Sequence, residues 1–340
     1  MPRTDVPPDA DPQLAARVRA ELGADASGPL TVLEGGRSGL TYRIDVDGHP
    51  LVVKAVPPGR EPVGRNDVLR QSYVLSTLAG TGVPVPAVVA SDAEPPGWFA
   101  MEFAPGEALE PVLEPAPGPD GVLSRTRMLA AARVLGALHA VALDVATDGI
   151  AAAGGTPPEV SGPADELEQW TRTMEAVPAD LRPGAAELLE CLAATVPAPV
   201  EPVLVHGDFR LGNLLCDGAR PTALIDWEIW GLGDPRVDLG WFGVFTDGAV
   251  FPGVGSAVSG LPDEDELAQV YREARGTDGG TGEAVPWFRA LGRLKMAAIM
   301  GHNLRRHREG RHHDPVQEQL PPTILALIRS AGSVLDGAPA

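Results

Sequence analysis

Three oxygen-bearing side chains stand at a spacing that could support phosphoryl transfer. Asp208 and Asn213 lie five residues apart in His-Gly-Asp-Phe-Arg-Leu-Gly-Asn, and Asp226 follows the apolar run 223–225. A transferred phosphoryl group needs little covalent help, so a protein promotes the reaction by positioning the attacking hydroxyl group and neutralising charge with a metal ion. The pattern therefore predicts that Asp208 accepts the proton, while Asn213 and Asp226 offer oxygen atoms to Mg²⁺.

Short elements on either side of the loop should bring these residues to one edge. Residues 203–205 read as a buried strand that ends at a turn at Gly207, and a hairpin at Asp217-Gly218 returns the chain along 223–225. We assign His206 to ordering the loop through hydrogen bonds. Glu228 shares a strand face with Asp226 and is a third candidate metal ligand. Any one of these residues alone is more often a backbone cap, and only their combined order favours a catalytic site.

The same residues carry a resemblance to a known family. The order H-x-D-x-x-x-x-N followed by a strand-end Asp resembles the protein-kinase arrangement, with Gly207 replacing the usual Arg and Asp226-Trp227-Glu228 replacing D-F-G. The chain resembles the aminoglycoside phosphotransferase and choline kinase group of small-molecule kinases. Its segments HGDFRLGNLL and IDWEIWGLGDPRVDLGW look most like the phosphotransferase domains found beside acyl-CoA dehydrogenases.

The resemblance implies a fold and a division of the chain. It implies an α+β, protein-kinase-like bilobal fold with an N-lobe at 1–103 that contains an antiparallel sheet and a helix. A mainly helical C-lobe would occupy 104–340 and contain the catalytic hairpins. The length of 340 residues also favours two lobes over one small core.

In the first lobe, the patterns predict a helix at 12–22 and strands at 30–33, 41–46, 50–56, 87–90 and 98–103. A glycine-rich turn at 34–40 could cover nucleotide phosphates, because glycine lets backbone N–H groups approach a ligand closely. A plain hairpin loop explains this turn about as well. The phosphate-covering residues would be Gly35, Gly36, Ser38 and Gly39.

Lys54 is the single charge in the apolar strand Leu51-Val52-Val53-Lys54-Ala55. An edge-strand lysine that discourages aggregation is one explanation. The resemblance implies instead that Lys54 binds nucleotide phosphates and is braced by a side chain from the following helix, at 65–79. Gln71 occupies the position of the usual Glu on the inward face of that helix, and Asp67 is the other candidate.

The segment Met101-Glu102-Phe103-Ala104 looks like the hinge between lobes, whose backbone would bind the adenine edge. A turn that ends a sheet predicts the same composition. Further along, helices are predicted from Ser124 to about residue 142, at 164–176 and at 185–195. Asp234 can cap a helix that starts near Pro235, with Asp238 in its first turn, and we expect both to brace the catalytic loop. The acidic run at 263–266 should begin a helix.

Composition excludes several classes of protein. A net charge of −19 and a pI near 4.7 argue against a nucleic-acid-binding surface. Cys191 and Cys216 lie in apolar contexts without metal-ligand spacing, which predicts buried free thiols in a reducing compartment. No apolar run is long enough to span a bilayer, and no signal segment is recognisable, so we expect a cytoplasmic protein without a membrane partner.

The predicted function is that of an ATP- and Mg²⁺-dependent kinase for a hydroxyl group of a small molecule, with GTP an open alternative donor. The branch resemblance favours a hydroxy acid or its acyl thioester as acceptor, whereas the family name favours aminoglycosides or other antibiotics. A nucleotide-binding regulator without transfer activity and a Mg²⁺-dependent phosphate hydrolase are the other classes considered. A weaker hypothesis places Arg305 or Arg306 against an anionic group of the acceptor.

Overall fold

A computed structural model describes residues 11–23, 29–33, 40–57, 59–114, 120–277, 284–311 and 313–337. The chain has an α+β fold that divides into two compact units. Unit 1 comprises residues 1–105, 144–157 and 223–229, and unit 2 comprises 106–143, 158–222 and 230–340. The sequence-based division at 103/104 lies close to the end of the first segment. Contacts, however, place 144–157 and 223–229 with unit 1, although both follow that division in the chain.

Unit 1 is built on a five-stranded sheet with the strand order β1-β2-β3-β5-β4, in which all neighbours are antiparallel. The strands are β1 Thr31–Val32, β2 Leu40–Val46, β3 His49–Ala55, β4 Val88–Asp92 and β5 Trp98–Glu102. The helices of this unit are α1 Pro12–Leu22, α2 Val68–Leu78 and α4 Leu143–Ala152.

The two faces of β3 have different neighbours, and this difference decides where Lys54 points. The turn Asp47-Gly48 joins β2 to β3 with positive φ at both residues, as a two-residue hairpin requires. Val53 and Ala55 then face a core that also contains Leu14 and Val18 of α1. Because side chains alternate along a strand, Lys54 lies on the opposite face of the sheet from α1.

Unit 2 is mainly helical. Its helices are α3 Gly121–His139, α5 Pro163–Glu175, α6 Ala185–Ala194, α7 Arg236–Gly243, α8 Glu264–Arg275, α9 Val285–Arg308 and α10 Pro321–Leu335. A small sheet has the order β6-β10-β7, formed by β6 Val160–Ser161, β7 Val203–Val205 and β10 Gly231–Gly233. A hairpin of β8 Leu214–Asp217 and β9 Arg220–Leu224 follows the predicted catalytic loop.

Helix α9 is the centre of unit 2. It packs against α5, α7 and α10, and most of its side chains are buried in one continuous core. Such a helix has no single polar face, because neighbouring helices surround it. Residues on α9 lie more than 70 positions after the catalytic loop in the chain. Because α9 is buried inside unit 2, its side chains can contact that loop from the core.

Several predicted elements appear with shifted ends. The helix predicted from Ser124 begins at Gly121, because the Asp120 side chain accepts bonds from the N–H groups of Val122 and Leu123. The acidic run does begin α8, and Asp263 is its N-cap. Cys216 is a buried free thiol as predicted, but Cys191 is exposed because it lies on the outer face of α6.

Within the described ranges, no single helix is both long and apolar enough to cross a membrane, and only the bent pair of α3 and α4 meets those two criteria together.

Candidate active site

In unit 2, the Asp208 carboxylate is held from both sides. One oxygen accepts a hydrogen bond from the Trp241 indole N–H at 2.9 Å, and the other accepts one from the Asn213 amide at 2.8 Å. The same amide nitrogen donates to the Asp208 backbone carbonyl at 2.8 Å. About a quarter of the Asp208 side chain remains exposed. The carboxylate is therefore fixed in orientation while it can still accept a proton.

The backbone before Asp208 is braced by a fully buried carboxylate. Asp238, in the first turn of α7, accepts from the His206 N–H at 2.7 Å and from the Gly207 N–H at 2.8 Å. The His206 ring nitrogen Nδ1 accepts in turn from the Asp208 N–H at 3.2 Å. The roles expected of Asp238 and His206 in ordering the loop are thus matched by their contacts.

Asp238 stays ionised because polar groups surround it. Burial alone would raise the pKa of its carboxyl, but hydrogen bonds from the His139 ring and from the His206 backbone N–H hold that pKa below its usual value. Burial lowers the pKa of His139, whose Nε2 lies 3.3 Å from Asp238 and whose Nδ1 lies 2.9 Å from the Tyr271 hydroxyl. A neutral His139 that donates to Asp238 and accepts from Tyr271 satisfies all three groups.

Asp234 caps α7 as predicted, but it has no described bond to the catalytic loop. Its carboxylate caps the start of α7 by accepting from the Arg236 N–H, and it binds the Arg236 guanidinium at 2.7 Å. Arg236 also donates to the Ala198 carbonyl. Asp234 therefore fixes α7 and the segment before β7, whereas the bonds to the catalytic loop come from Asp238.

Glu110 is a buried carboxylate beside the second half of the loop. It accepts from the Gly212 N–H at 3.0 Å and lies 3.7 Å from Arg210, whose Nε is 3.5 Å from Asp208. Burial raises the pKa of Glu110 to about 7, against the opposing effects of Arg210 and the Gly212 bond. Sequence reasoning missed Glu110, because a lone Glu before Pro111 has no distinguishing pattern.

In unit 1, the side chain of Lys54 lies beside one amide and one carboxylate. Its Nζ donates to the Gln71 amide oxygen at 2.9 Å and lies 3.5 Å from the Asp226 carboxylate. Gln71 is buried on α2, whereas Asp67 is the N-cap of that helix and accepts from the Arg70 N–H. The structure therefore brings Gln71, and not Asp67, to Lys54.

The segment that carries Asp226 is anchored by hydrogen bonds of the Leu224 backbone. The Leu224 N–H donates to the Pro84 carbonyl at 2.7 Å, and the buried Trp227 indole donates to the Leu224 carbonyl at 2.9 Å. Asp226 then adopts φ of +67°, a left-handed conformation that is uncommon outside glycine and is concentrated at functional sites. Glu228 lies in the turn just beyond and is partly buried.

The predicted hinge lies at the end of β5. Two of its backbone N–H groups already donate hydrogen bonds to neighbouring segments of the sheet. The N–H of Glu102 donates to Ala87, and that of Phe103 donates to Pro50 at 3.3 Å. Met101 is buried, and Phe103 stacks under the guanidinium of Arg43. If this segment binds a base edge, the remaining N–H donor is that of Ala104. The predicted phosphate-covering residues Gly35, Gly36, Ser38 and Gly39 lie outside the described residues.

The donor atoms fit Mg²⁺ in kind. Both described bonds of the Asn213 side chain use its amide nitrogen, which leaves the amide oxygen as the atom suited to a metal. Asp226 supplies a carboxylate. Among the described residues, no three His, Cys, Asp or Glu side chains form a group that could hold a metal by themselves. Mg²⁺ commonly takes one or two protein oxygens and completes its shell with water and phosphate.

Comparison with known proteins decides the family. A model of the phosphotransferase enzyme family matches residues 29–284, three quarters of the chain. The chain belongs to the phosphotransferase enzyme family. Residues Lys54, Asp208, Asn213 and Asp226 all lie within the matched range, and the protein-kinase-like α+β fold predicted from the sequence is confirmed.

Relatives of known name fall into two groups. Mouse acyl-CoA dehydrogenase family member 10 is 30% identical over 251 residues, which cover 69% of this chain and 22% of that protein. Viomycin phosphotransferase of Streptomyces vinaceus is 27% identical over 292 residues, covering 81% of this chain and 88% of that protein. The chain spans about a fifth of the mouse protein and just over a third of human acyl-CoA dehydrogenase family member 11.

Solved structures show the same fold. A putative aminoglycoside phosphotransferase from Ralstonia eutropha superposes with a TM-score of 0.71 at 24% identity, covering 94% of this chain and 97% of the other. A thermostable mutant of an aminoglycoside phosphotransferase, solved with ADP and hygromycin B, superposes with a TM-score of 0.55 at 19% identity, covering 88% and 93%.

Proposed function

We propose that this phosphotransferase transfers the γ-phosphoryl group of ATP to a hydroxyl group of a small acid or of its acyl thioester. The observation that carries the proposal is the Asp208 carboxylate, which Trp241 and Asn213 fix on a braced loop while part of it stays exposed. A structural cap would not need this rigid support together with exposure. A proton acceptor for an incoming hydroxyl group needs both.

In this proposal each residue has one role. Asp208 orients the acceptor hydroxyl group and takes its proton as the phosphoryl group moves. Lys54 binds phosphate oxygens of the donor, and Gln71 holds the ammonium in place through the 2.9 Å bond. The carbonyl of Glu102 and the N–H of Ala104 would read the adenine edge, next to Met101 and Phe103. The role of Gly35, Gly36, Ser38 and Gly39 in covering phosphates stays a prediction.

Asn213 and Asp226 would supply the protein oxygens of a Mg²⁺ site, with Glu228 as a further candidate, and the ion would neutralise charge on the transferred group. Asp226 pairs with Lys54 in the structure, so the carboxylate has a cation partner before any metal binds. Relatives of the same fold support a nucleotide donor, since one was solved with ADP. The sequence does not discriminate ATP from GTP.

The charge around Asp208 supports an anionic acceptor. Arg210, about a quarter exposed, lies 3.5 Å from Asp208. A partly exposed cation beside the proton acceptor would disfavour a polycationic aminoglycoside and attract a carboxylate or an acidic thioester. The similarity to acyl-CoA dehydrogenase family member 10 points to the same acceptors.

An antibiotic acceptor is the second candidate, favoured by the similarity to viomycin phosphotransferase over most of that protein. A regulator that binds nucleotide without transferring phosphate is a third candidate, favoured by Gln71 in place of an acidic brace. The regulator is the weaker of the two, since Lys54, Asp208, Asn213 and Asp226 are all present. The cytoplasmic location expected from the sequence stays a prediction.

One screen separates these candidates. Purified protein with ATP and Mg²⁺ is offered short hydroxy acids, their CoA thioesters, viomycin and several aminoglycosides, and both ADP and the phosphorylated product are quantified. We expect equal amounts of ADP and phosphoester with a hydroxy acid or thioester. Phosphorylation of antibiotics alone would refute the acceptor assignment, and nucleotide binding without any product would favour the regulator. A parallel series with GTP identifies the donor.

A further inference from the structure

The chain contains 27 lysine and arginine residues, of which two are lysines, Lys54 and Lys295. Lys54 belongs to the proposed nucleotide site, whereas Lys295 has no role in the function described so far. Arginine is a planar fork that is always charged, and lysine is a compact ammonium on a flexible stem. A chain that otherwise uses arginine is expected to place lysine where the compact group is required.

The ammonium of Lys295 is enclosed inside unit 2. It lies on α9 and is 4% exposed. Its Nζ donates to the backbone carbonyl of Gly207, the residue before Asp208. The faces of two indoles cover it, with ring centres at 4.2 Å for Trp241 and 5.1 Å for Trp170. Cations are attracted to indole faces, and more strongly when both groups are shielded from water.

Burial of this ammonium is costly, and a leucine or methionine would fill the space without that cost. Burial also lowers the pKa of Lys295, while Asp208, Glu166 and Asp238 oppose this effect. Glu166 binds the indole N–H of Trp170 at 3.2 Å, so that indole is itself held in place. The site is thus built around the cation: two aromatic faces, one carbonyl and three nearby carboxylates.

Two routes connect Lys295 to the proton acceptor. The first is the backbone: the peptide group that joins Gly207 to Asp208 has its carbonyl bound by Lys295 and its N–H bound by His206, so it is fixed at both ends. The second is Trp241, whose face covers the ammonium and whose N–H binds the Asp208 carboxylate at 2.9 Å. Loss of the ammonium would loosen both supports together.

We propose that Lys295 is a positioning residue that holds Gly207 and Trp241, and through them the Asp208 carboxylate, in the geometry needed for proton transfer. The effect on rate rests on the proposed kinase function, whereas the effect on Trp241 and the loop does not. Lys295 acts through Gly207 and Trp241 and contacts neither donor nor acceptor. Its removal should therefore lower kcat and leave the KM for ATP unchanged.

The first test replaces the ammonium and then returns it from solution. In Lys295→Ala, we expect kcat to fall by about 10- to 100-fold, the range for a misplaced catalytic group. The gap between Trp170 and Trp241 should then bind ethylammonium, which restores part of kcat in a concentration-dependent way, while ethanol does not. Lys295→Arg should be impaired too, because a guanidinium is broader than the ammonium it replaces.

Arg293 provides a matched control on the same helix. It is also a buried cation, 2% exposed, but it binds Glu264 and Ser330 and has no described contact with the loop. Arg293→Ala should lower Tm at least as much as Lys295→Ala while its folded fraction keeps nearly the kcat of the native protein. Equal loss of kcat in both variants, without rescue by ethylammonium, would overturn the proposal.

A second readout does not need activity. The indole N–H resonance of Trp241, assigned by its loss in Trp241→Phe, should shift and exchange faster with water in Lys295→Ala, and ethylammonium should reverse the change. An unaltered Trp241 resonance in the folded variant would overturn the proposal even if no acceptor is found. If Lys295→Ala does not fold, Lys295→Met keeps the apolar stem without the charge, and its kcat and its Trp241 resonance are compared with those of the native protein without the rescue step.

Discussion

The two lysines of this chain show how one side chain serves two purposes. Lys54 lies on β3, the middle strand of its sheet, 15% exposed at the side chain, with a neutral amide at 2.9 Å and a carboxylate at 3.5 Å. Lys295 is enclosed by two indoles and donates to a backbone carbonyl. The first ammonium can exchange a protein partner for a phosphate oxygen. The second has its bonding capacity committed to the protein and can only hold structure.

The largest effect should come from Asp208, the proposed proton acceptor that Lys295 is proposed to position. Asp208→Asn keeps a partner for the Trp241 N–H but removes the proton acceptor, so we expect kcat to fall by about 10³-fold, within the range for general base catalysis. ATP affinity, measured by calorimetry, should stay within about twofold of the native value. The exposed Asp217→Asn in the β8–β9 hairpin is the matched control. A variant Asp208→Asn with more than a tenth of native kcat would remove Asp208 from the chemistry.

Lys54→Met tests the exposed member of the pair. Loss of a charged hydrogen-bond donor to phosphate should lower kcat/KM for ATP by about 100-fold, with a rise in KM as well as a fall in kcat. This pattern contrasts with Lys295→Met, for which only kcat should change. Arg220→Met in the β8–β9 hairpin removes a surface cation paired with Asp217 and should leave both constants unchanged. Identical kinetic patterns for the two lysine variants would erase the distinction drawn between them.

Glu110 gives a pH dependence of stability with a defined sign. Its pKa is about 7 in the folded protein and near 4.5 when exposed, so between these values the folded state holds a proton that the unfolded state has lost. Stability from this group therefore falls as pH rises from about 4.5 to 7, by on the order of 3 kcal/mol. Glu110→Gln should flatten that decline in urea unfolding measured at pH 5 and pH 8.

The exposed Glu168→Gln on α5 serves as the control for Glu110, since its partner is a surface arginine one turn away. A decline with pH that is as steep in Glu110→Gln as in the native protein would assign the titration to another group. The direction also matters for function, because an ionised Glu110 faces Arg210 and the Gly212 N–H beside the catalytic loop.

The smallest effect is expected at the brace of Lys54. Gln71→Glu restores a charged partner at the 2.9 Å contact, so kcat/KM for ATP should be unchanged or rise by up to about tenfold, as neutral and charged hydrogen bonds differ by 1 to 2 kcal/mol. Gln71→Leu should lower it. A large loss in Gln71→Glu would contradict the assignment of Gln71 as the residue that holds Lys54 in place for the donor.

Local sequence patterns were sufficient for much of the fold and for half of the site. Strand β7, the turn at Gly207 and the β8–β9 hairpin follow from apolar runs and glycine positions that lie next to the residues they place. Helical periodicity put Gln71 on the inward face of α2, where it meets Lys54. The role of Asp238 in bracing the catalytic loop was also predictable. The same role was predicted for Asp234, because nothing in the sequence separates the two carboxylates.

Residues brought together by tertiary packing were missed. Lys295 lies 88 residues from Gly207 in an apolar helix, and nothing nearby in the sequence indicates which of its neighbours it will meet. The left-handed backbone of Asp226 and the contacts of 223–229 with unit 1 depend on Pro84, which is remote in the chain. Helices α4 and α10 were not predicted.

The central claim is that Lys54 binds the phosphates of ATP while Lys295 serves the protein, and the presence of only two lysines makes this directly measurable. The protein is treated with an acyl-phosphate derivative of ATP, which transfers its acyl group to a lysine beside the bound phosphates, and the peptides are mapped. We expect labelling of Lys54 that excess ATP with Mg²⁺ prevents, and no labelling of Lys295. Labelling of Lys295, or labelling of Lys54 that ATP does not reduce, would contradict the account.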